Sequence, residues 1–411
     1  MTFVHNRILI VLAAMLLALS LSANNQIFDE TDVPLDSTLE ISLITCGPGE
    51  MIYELEGHTG LRIKNSDSDV IVNWGLFDFD SPNFIYRFVK GETDYMAGIT
   101  STKNFIDYYK RTNREIREQK LDLTPLEASR VVDLVSNNLL PENRIYRYNY
   151  VKDNCATRPL RLIEKALGDT IILGTANADF TTFRNEMKIY HSSYPWYQFG
   201  IDLALGSGID YQLNNRDASF APVALADMLS DARVASSNGR KLVKADKILF
   251  TPYATNDIQP TSFFLSPVFV CWMVFLIILT ITIIYPETKR ISKVTDSILF
   301  LIFGLAGCLI TFLVFFSEHE ATSPNALIFW LNPLCLLVPI LIWFKKTKFF
   351  LSCYQSLNIL LIILMFVSIY FTGQKINSAF IPLILCDALR AINYIVKTKC
   401  FTLKKNLYSK H

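Results

Sequence analysis

The chain has 411 residues and a formal net charge of +1, and 51% of its residues are hydrophobic while 19% are charged. The balanced charge, without a basic stripe interleaved with aromatic residues, argues against a nucleic-acid partner. The composition is uneven, because the first two thirds are polar and mixed whereas long apolar stretches dominate the last third. We therefore expect a water-facing domain followed by a membrane domain.

The first segment, residues 1–23, is typical of a secretory signal. Arg7 precedes an apolar run, residues 8–21, and small residues follow, ending at Ala23. Leu21 stands at the third position before a cut after Ala23 and makes the cleavage site imperfect. The segment is predicted to be a signal peptide or an uncleaved signal anchor, and either would export the residues that follow.

The exported domain is predicted to comprise residues 24–261. The sequences LEISLITC, HTGLRIK and DVIVNWG have strand character, and the polar turn NSDSD joins the second to the third. A helix is predicted in TPLEASRVVDLVSNNLL, because Thr124 can cap it, Pro125 takes its first position and Glu127 completes a capping box. These strands and helices predict an α+β fold.

Cys155 stands at the start of a second amphipathic helix, in NCATRPLRLIEKALG. Pro159 would fall too deep in a helix capped by Asn154, so the regular helix is expected to begin near Thr157. The sulfur would then lie near a helix N-terminus, where the dipole and unpaired backbone N–H groups favour a thiolate and can bind an oxyanion. Cys155 is therefore a candidate nucleophile. Asp153 and Asn154 are candidates for polarising the site or for plain helix capping.

A nucleophilic thiol needs a base, and residues 24–261 contain two histidines, His58 and His191. His58 opens a predicted strand, and a strand histidine beside a helix-capping cysteine is the arrangement of papain-like enzymes. If NSDSD is a turn, Asn73 lies almost opposite His58 and can orient its ring; it could equally be a polar residue on a strand face. Tyr53 is a further candidate for polarising the site.

From residue 262 onward, five apolar stretches of roughly 20 residues are each long enough to span a bilayer. They are Phe263 to Tyr285, Ser297 to Phe316, Asn325 to Phe344, Phe349 to Phe371 and Ile376 to Val396. Lysine and arginine are concentrated after the first, third and fifth stretches, so these loops are predicted to be cytoplasmic and the exported domain to lie outside. The sequence thus predicts an all-α five-helix transmembrane domain, residues 262–397, and a basic cytoplasmic tail, residues 398–411.

The loop SEHEATSPN would face the same side as the exported domain. Its His319 and Asn325 are candidates for reaching the cysteine site or a lipid head group, and the simpler interpretation is a solvated loop. Asp387 and Arg390 lie three residues apart within the fifth stretch, where ionisable groups are costly unless paired. We expect these two residues to neutralise each other in a structural pair, and a lipid or substrate site is the alternative.

Five long motifs resemble one family. They are LITCGPGEMIYELEGHTGLRI, VNWGLFDFDSPNF, NREIREQKLDLT and PENRIYRYNYVKDNCATRPL in the exported domain, and FSEHEATSPNALIFWLNPL in the membrane domain. They resemble the Lnb family of bacterial lipoprotein N-acyltransferases. The resemblance implies a permuted papain-like domain in the periplasm, with Cys155 as nucleophile and His58 as base, on a multi-pass protein of the bacterial inner membrane.

The same resemblance implies a ping-pong reaction. The Cys155 thiolate would attack an ester of a membrane phospholipid, and the α-amine of a diacylglyceryl-cysteine on a lipoprotein would then take the acyl chain. Phospholipid, diacylated lipoprotein and the bilayer are the implied partners. No cofactor is implied, and no metal, since the histidines and cysteines of the exported domain lack zinc-ligand spacing.

Two other interpretations stay open on the residues alone. A membrane-tethered cysteine amidase or peptidase acting on cell-wall peptides would use the same cysteine and histidine, although it would not need five spans. Alternatively, Cys46 and Cys155, the two cysteines of the exported domain, form a disulfide in a non-catalytic membrane module.

Overall fold

The structure is a computed structural model that describes residues 38–168, 170–175, 182–235, 239–253 and 260–408, with side chains described to residue 397. The predicted signal segment, 1–23, lies outside the described residues. The described residues belong to one compact unit, Thr38–His411. An α+β part is followed by a helical part, which confirms the class expected for the N-terminal portion.

Antiparallel strands form the centre of the N-terminal part. They are β1 Glu40–Cys46, β2 His58–Lys64, β3 Asp69–Leu76, β4 Asp94–Ser101, β5 Ile116–Leu121, β6 Ile145–Arg147, β7 Ile171–Ile172, β8 Arg233–Val234 and β9 Val243–Phe250. Seven of them make one sheet in the order β6-β4-β3-β2-β1-β5-β9, and β7 pairs with β8 separately. The central position of β2 and β3 places the candidate base inside the sheet rather than at its edge.

The hairpin of β2 and β3 has the predicted turn. The Asn65 side chain closes this turn by accepting hydrogen bonds from the backbone N–H groups of Asp67 and Ser68. The register between the two strands extends from the turn to the pair Gly60 and Asn73. The predicted pairing of these strands is therefore confirmed.

The hairpin opens beyond that last pair. The register of β3 against β4 shifts between Asn73 and Leu76, and Gly75 in this bulge has a φ of +87°. Such a backbone conformation favours glycine. His58 and Thr59, the first residues of β2, thus lie where β3 bends away, and this opening receives the candidate nucleophile.

Eight helices of the described residues accompany the sheet. They are α1 Phe84–Lys90, α2 Thr102–Arg111, α3 Pro125–Leu139, α4 Thr157–Leu167, α5 Phe183–Tyr190, α6 Pro195–Ala204, α7 Asn215–Ala218 and α8 Pro222–Leu229. Helix α3 has the predicted capping box of Thr124 and Glu127 with Pro125 at its start. Helix α4 begins at Thr157, as predicted from the proline, and ends at Gly168 in the left-handed conformation.

The sheet has apolar residues on both faces. On one face, Leu61, Val72 and Trp74 pack with residues of α3 and α4 in the larger core. On the other face, Ile44, Cys46 and Ile71 pack against Phe105 and Tyr109 of α2. Burial on both sides fixes the strands in register, because a slip of one residue would exchange the two faces.

The C-terminal part contains four long helices among the described residues. They are α9 Pro267–Ile284, α10 Arg290–Phe315, α12 Lys348–Thr372 and α13 Phe380–Tyr408, and the short α11 Leu337–Leu341 precedes α12. By length and composition, α9, α10 and a segment ending with α12 can cross a membrane. The predicted third span is not one helix, because residues 325–344 form short 3-10 turns around α11. A bundle of five membrane-crossing helices stays a prediction.

The prediction that Asp387 and Arg390 pair with each other is wrong. Arg390 instead forms a buried ion pair with Asp296 of α10 and a second with Glu287, at 2.5 and 3.0 Å. Asp387 accepts a hydrogen bond from Asn358 of α12 at 2.5 Å. Each ionisable group therefore joins α13 to a different neighbouring segment.

The outer loop between α10 and the 3-10 turns is attached to the α+β part. The backbone N–H of Glu318 donates to the Lys90 carbonyl at the end of α1, and that of Gly206 donates to the Ala321 carbonyl. An ion pair between Arg147 and Glu318 adds to this contact. The α+β part is therefore seated directly on the outer end of α10.

Two glycines in the left-handed conformation allow a paired test of packing beside the site. A Cβ on Gly57 would lie 2.4 Å from the Cys46 carbonyl oxygen, whereas a Cβ on Gly168 would meet nothing within 4 Å. Gly168→Ala is expected to cost about 1 kcal/mol of stability from backbone strain alone. Gly57→Ala should cost about 3 kcal/mol, because a strand must also move. Thermal unfolding of the full chain in detergent checks this, and equal losses in unfolding temperature would contradict it.

Candidate active site

Cys155 lies in an irregular turn that leads into α4. The side-chain oxygen of Asn154 accepts hydrogen bonds from the N–H groups of Ala156 and Thr157, both at 2.9 Å. These two N–H groups are the first ones after the cysteine. Because Asn154 already occupies them, they are not free to bind an oxyanion as the sequence suggested.

The Cys155 thiol is surrounded by protein, and the residue is only 9% exposed. Burial raises the pKa of the thiol to about 11, although hydrogen bonds from the backbone N–H groups of Thr59 and of Cys155 itself act in the opposite direction. Backbone N–H groups thus favour the thiolate, as the sequence predicted, but the effect of burial on the pKa of the thiol is larger. The thiol is neutral at pH 7, and two N–H groups converge on the sulfur.

His58 is held by Asn73, as the hairpin register predicted. Its Nε2 donates to the Asn73 side-chain oxygen at 3.1 Å, which leaves the lone pair of the neutral ring on Nδ1. The ring stacks on Tyr109 at a centroid distance of 6.3 Å. Burial lowers the pKa of His58 to about 4. At neutral pH the imidazole is therefore uncharged and able to accept a proton.

The opening of the hairpin at Gly75 brings Cys155 to these two residues. A Cβ built on Gly75 would lie 3.9 Å from the Cβ of Cys155 and 3.5 Å from the ring of Tyr148. The sulfur also contacts the backbone of Thr59, the residue after His58. The three residues predicted as catalytic therefore converge where β2 and β3 separate.

A buried arginine adds a fixed positive charge to this region. Arg114 is 2% exposed, donates to the Gly47 carbonyl, pairs with Glu54 at 2.9 Å and lies over the Tyr109 ring. Its charge lowers the pKa of Cys155 and of His58. It thus favours the thiolate form of the cysteine and the neutral form of the histidine.

A second buried histidine, His191, is joined to the loop before Cys155 through Glu56 and Tyr150. Glu56 accepts hydrogen bonds from the Tyr150 hydroxyl and from Nε2 of His191. Nδ1 of His191 donates to the Gln198 side-chain oxygen at 2.7 Å, and the Gln198 amide is oriented by its bond to Asp202. Both ring nitrogens of His191 therefore have hydrogen-bond partners, which fix the orientation of the ring.

The predicted alternative of a Cys46–Cys155 disulfide is contradicted, because both thiols are free. Cys46 packs with Phe105 and Tyr109 under α2, whereas Cys155 lies in the turn that Asn154 closes before α4. The burial of Cys46 raises the pKa of its thiol far above the ordinary value.

Two family models match the chain in sequence order. The Lnb N-terminal periplasmic domain matches residues 30–185, and the Lnb transmembrane domain matches residues 259–400. The chain belongs to the Lnb family. It is therefore a membrane protein with a periplasmic N-terminal domain. Neither a curated protein nor a solved structure matches the chain.

The supporting residues predicted within the Lnb periplasmic domain have other contacts. Asp153 pairs with Arg158 and Arg161 of α4, and Asn154 caps that helix. Tyr53 is exposed and lies 5.9 Å from the rings of two phenylalanines. Asp153 and Asn154 therefore stabilise the turn that carries Cys155, whereas Tyr53 packs against Phe77 and Phe79.

The two predicted residues of the Lnb transmembrane domain attach the domains to each other. Nε2 of His319 donates to the Phe88 carbonyl at 2.7 Å. Asn325 is buried, donates to the Leu203 carbonyl and accepts from Gln374. The loop is therefore docked on the periplasmic domain and is not simply solvated.

Sequence reasoning missed Glu56 and Arg114, and it named His191 only as the second histidine of the exported domain. Glu56 and Arg114 lie inside the motifs LEGHTGLRI and NREIREQKLDLT, which carried the Lnb resemblance. Glu56 stands two residues before His58, a signal that could have identified it, whereas Arg114 has no candidate base near it in the sequence. The pairing of His191 had no local signal, because its partner precedes it by 135 positions.

The neutral resting thiol predicts a steep pH dependence of alkylation. With a pKa near 11, the rate at which iodoacetamide modifies Cys155 should rise about tenfold per pH unit between pH 7 and 9, because the thiolate reacts. Mass mapping of the modified peptide over time measures this rate. Cys46 is the internal control and should stay unmodified. A plateau near pH 7 would show a stabilised thiolate and contradict this account.

Proposed function

We propose that this protein is a lipoprotein N-acyltransferase. It moves a fatty acyl chain from a membrane phospholipid, through a thioester on Cys155, to the α-amine of diacylglyceryl-cysteine on a lipoprotein. The observation that carries the proposal is the position of the Cys155 sulfur against the backbone of Thr59, the residue after the oriented His58, in a periplasmic Lnb domain seated on a membrane helix. No cofactor takes part in this proposal.

The proposed first half-reaction forms the thioester. Nδ1 of His58 takes the thiol proton as the sulfur attacks the ester carbonyl carbon of the phospholipid. The N–H groups of Thr59 and Cys155, which already converge on the sulfur, stabilise the oxyanion. The carbon–oxygen ester bond breaks, the proton passes from His58 to the departing alkoxide, and lysophospholipid leaves an S-acyl Cys155.

The proposed second half-reaction forms an amide. The free α-amine of the lipoprotein attacks the thioester carbonyl, and His58 accepts a proton from the amine. The carbon–sulfur bond breaks, and the sulfur of Cys155 regains a proton from His58. The product is a triacylated lipoprotein, and the site returns to its neutral resting form.

The surroundings of Cys155 and His58 favour transfer of the acyl group over hydrolysis of the thioester. Burial excludes water from the thioester, and Asn73 orients the imidazole for both proton transfers. The low pKa of His58 keeps the ring in its base form above about pH 5. Asn73 is therefore proposed as the third member of the catalytic group, as in a permuted papain-like site whose histidine strand precedes the cysteine helix.

The membrane part of the proposal follows from the helices and their attachment. Helices α9, α10 and α12 are long and apolar enough to cross a bilayer, and the outer loop holds the periplasmic domain on them. Both proposed substrates are anchored in a bilayer. We propose a multi-pass protein of the bacterial inner membrane whose site meets donor and acceptor at the periplasmic surface.

The proposal predicts a fatty-acyl adduct on Cys155. Purified full-length protein incubated with phospholipid vesicles should gain one acyl mass, which maps to Cys155 and is removed by neutral hydroxylamine. Cys155→Ala should abolish the adduct, and His58→Ala should lower its rate by about 100-fold or more, because the general base is lost. Intact-mass and peptide mass spectrometry make the measurement.

Cys46→Ala is the matched control, since it removes the other thiol of the domain and should leave the adduct in place. Adding a diacylated lipopeptide should then discharge the adduct and give a triacylated product. A Cys155 that stays unacylated in active membranes would refute the acyl-enzyme. Discharge only by cell-wall peptide would assign the cysteine to an amidase or peptidase.

A further inference from the structure

A series of aromatic rings leads away from Cys155. Tyr148 is the first, because its ring and the Cys155 Cβ both lie next to Gly75. Tyr148 stacks on Tyr95 with centroids 4.2 Å apart, and Tyr95 contacts Phe77 at 5.1 Å. These rings connect the candidate nucleophile to the loop that precedes α1.

The series continues along α1. Phe77 stacks on Phe84 at 6.0 Å, and Phe84 stacks on Phe88 one turn later, also at 6.0 Å. Phe79 packs edge-on against both Phe77 and Phe84. We call Tyr148, Tyr95, Phe77, Phe84 and Phe88 the aromatic path.

The far end of the aromatic path lies at the membrane part. The Phe88 carbonyl accepts a hydrogen bond from His319, and the Val89 carbonyl accepts one from Ser317. Tyr86 contacts Phe312 of α10 at a ring distance of 6.1 Å. Since α10 ends at Phe315, this end of the path lies at the level where a spanning helix leaves the bilayer.

The apolar residues around the far end are exposed. Ile85 is 79% exposed, Phe79 58% and Phe88 49%, and α1 has no buried residue. A contiguous apolar surface of this kind on a water-facing domain indicates a binding site for an apolar partner. Its continuity with both α10 and the cysteine distinguishes it from scattered surface hydrophobics.

We propose that the aromatic path binds the acyl chain of the phospholipid donor, with the ester carbonyl at Cys155 and the chain directed along the rings toward α10. This inference rests on the proposed function. An acyl chain suits the path because the packed rings form a continuous apolar surface, whereas a peptide would need backbone partners. Each methylene that leaves water strengthens binding about fourfold.

The test measures how Cys155 acylation depends on chain length. The full chain in nanodiscs is mixed with p-nitrophenyl acetate or p-nitrophenyl octanoate, and acylation is followed by nitrophenolate release and by the mass of Cys155. The wild-type protein should prefer octanoate strongly. Phe77→Ala and Phe84→Ala should each lower the octanoate-to-acetate ratio of rates by tenfold or more, and Phe84→Leu should restore most of it.

Phe263→Ala is the matched control, because Phe263 is an exposed aromatic beside α9 that lies off the path. It should leave the ratio unchanged. An unchanged octanoate-to-acetate ratio in the path variants would overturn the proposal. An equal fall in the ratio in Phe263→Ala would also overturn it, because it would indicate that these aromatic residues act as general membrane anchors. If the rates with acetate and octanoate fell by the same factor in the path variants, the rings would stabilise the fold rather than bind the acyl chain. A wild-type Cys155 that no ester acylates would refute the proposed function itself.

Discussion

The antiparallel pairing of β2 with β3, and the point at which it ends, is the constraint on which the site depends. The paired part brings Asn73 close enough to bond the ring of His58. The bulge at Gly75 then ends the pairing and makes room for Cys155 next to the backbone of Thr59. A longer hairpin would fill this space with a strand, and a shorter one would leave the imidazole without its partner.

Burial governs the electrostatics of this site more than the helix dipole does. A dipole and two backbone N–H groups favour a thiolate, yet desolvation is larger and keeps both the thiol and the imidazole neutral at pH 7. Two fixed charges act on the sulfur in opposite directions, since Arg114 lowers the pKa of Cys155 and Glu56 raises it. The proposed thiolate is consequently a species that forms during the reaction.

Local signals predicted the hairpin, helix α3, the start of α4 and the contact between His58 and Asn73. Each of these depends on residues close in sequence, such as Asn65 in its turn or Thr124 and Glu127 in their capping box. The pairs Glu56–His191 and Arg390–Asp296 join distant segments, so spacing could not predict them. The third apolar stretch, residues 325–344, was predicted to be a single helix, and it is not one. Hydropathy indicates the solvent that a segment prefers and not whether its backbone is one continuous helix.

That third stretch has a consequence for how the protein is assembled. Short 3-10 turns leave more backbone polar groups unpaired than a continuous helix does, and in this chain the side chains of Asn325 and Asn332 bond some of them. Lipid offers such groups no hydrogen bonds, so residues 325–344 are poorly suited to enter a bilayer as an independent unit. Their buried contacts with α10, α12 and α13 supply the packing that the segment lacks by itself, so its folded form depends on the presence of these flanking helices.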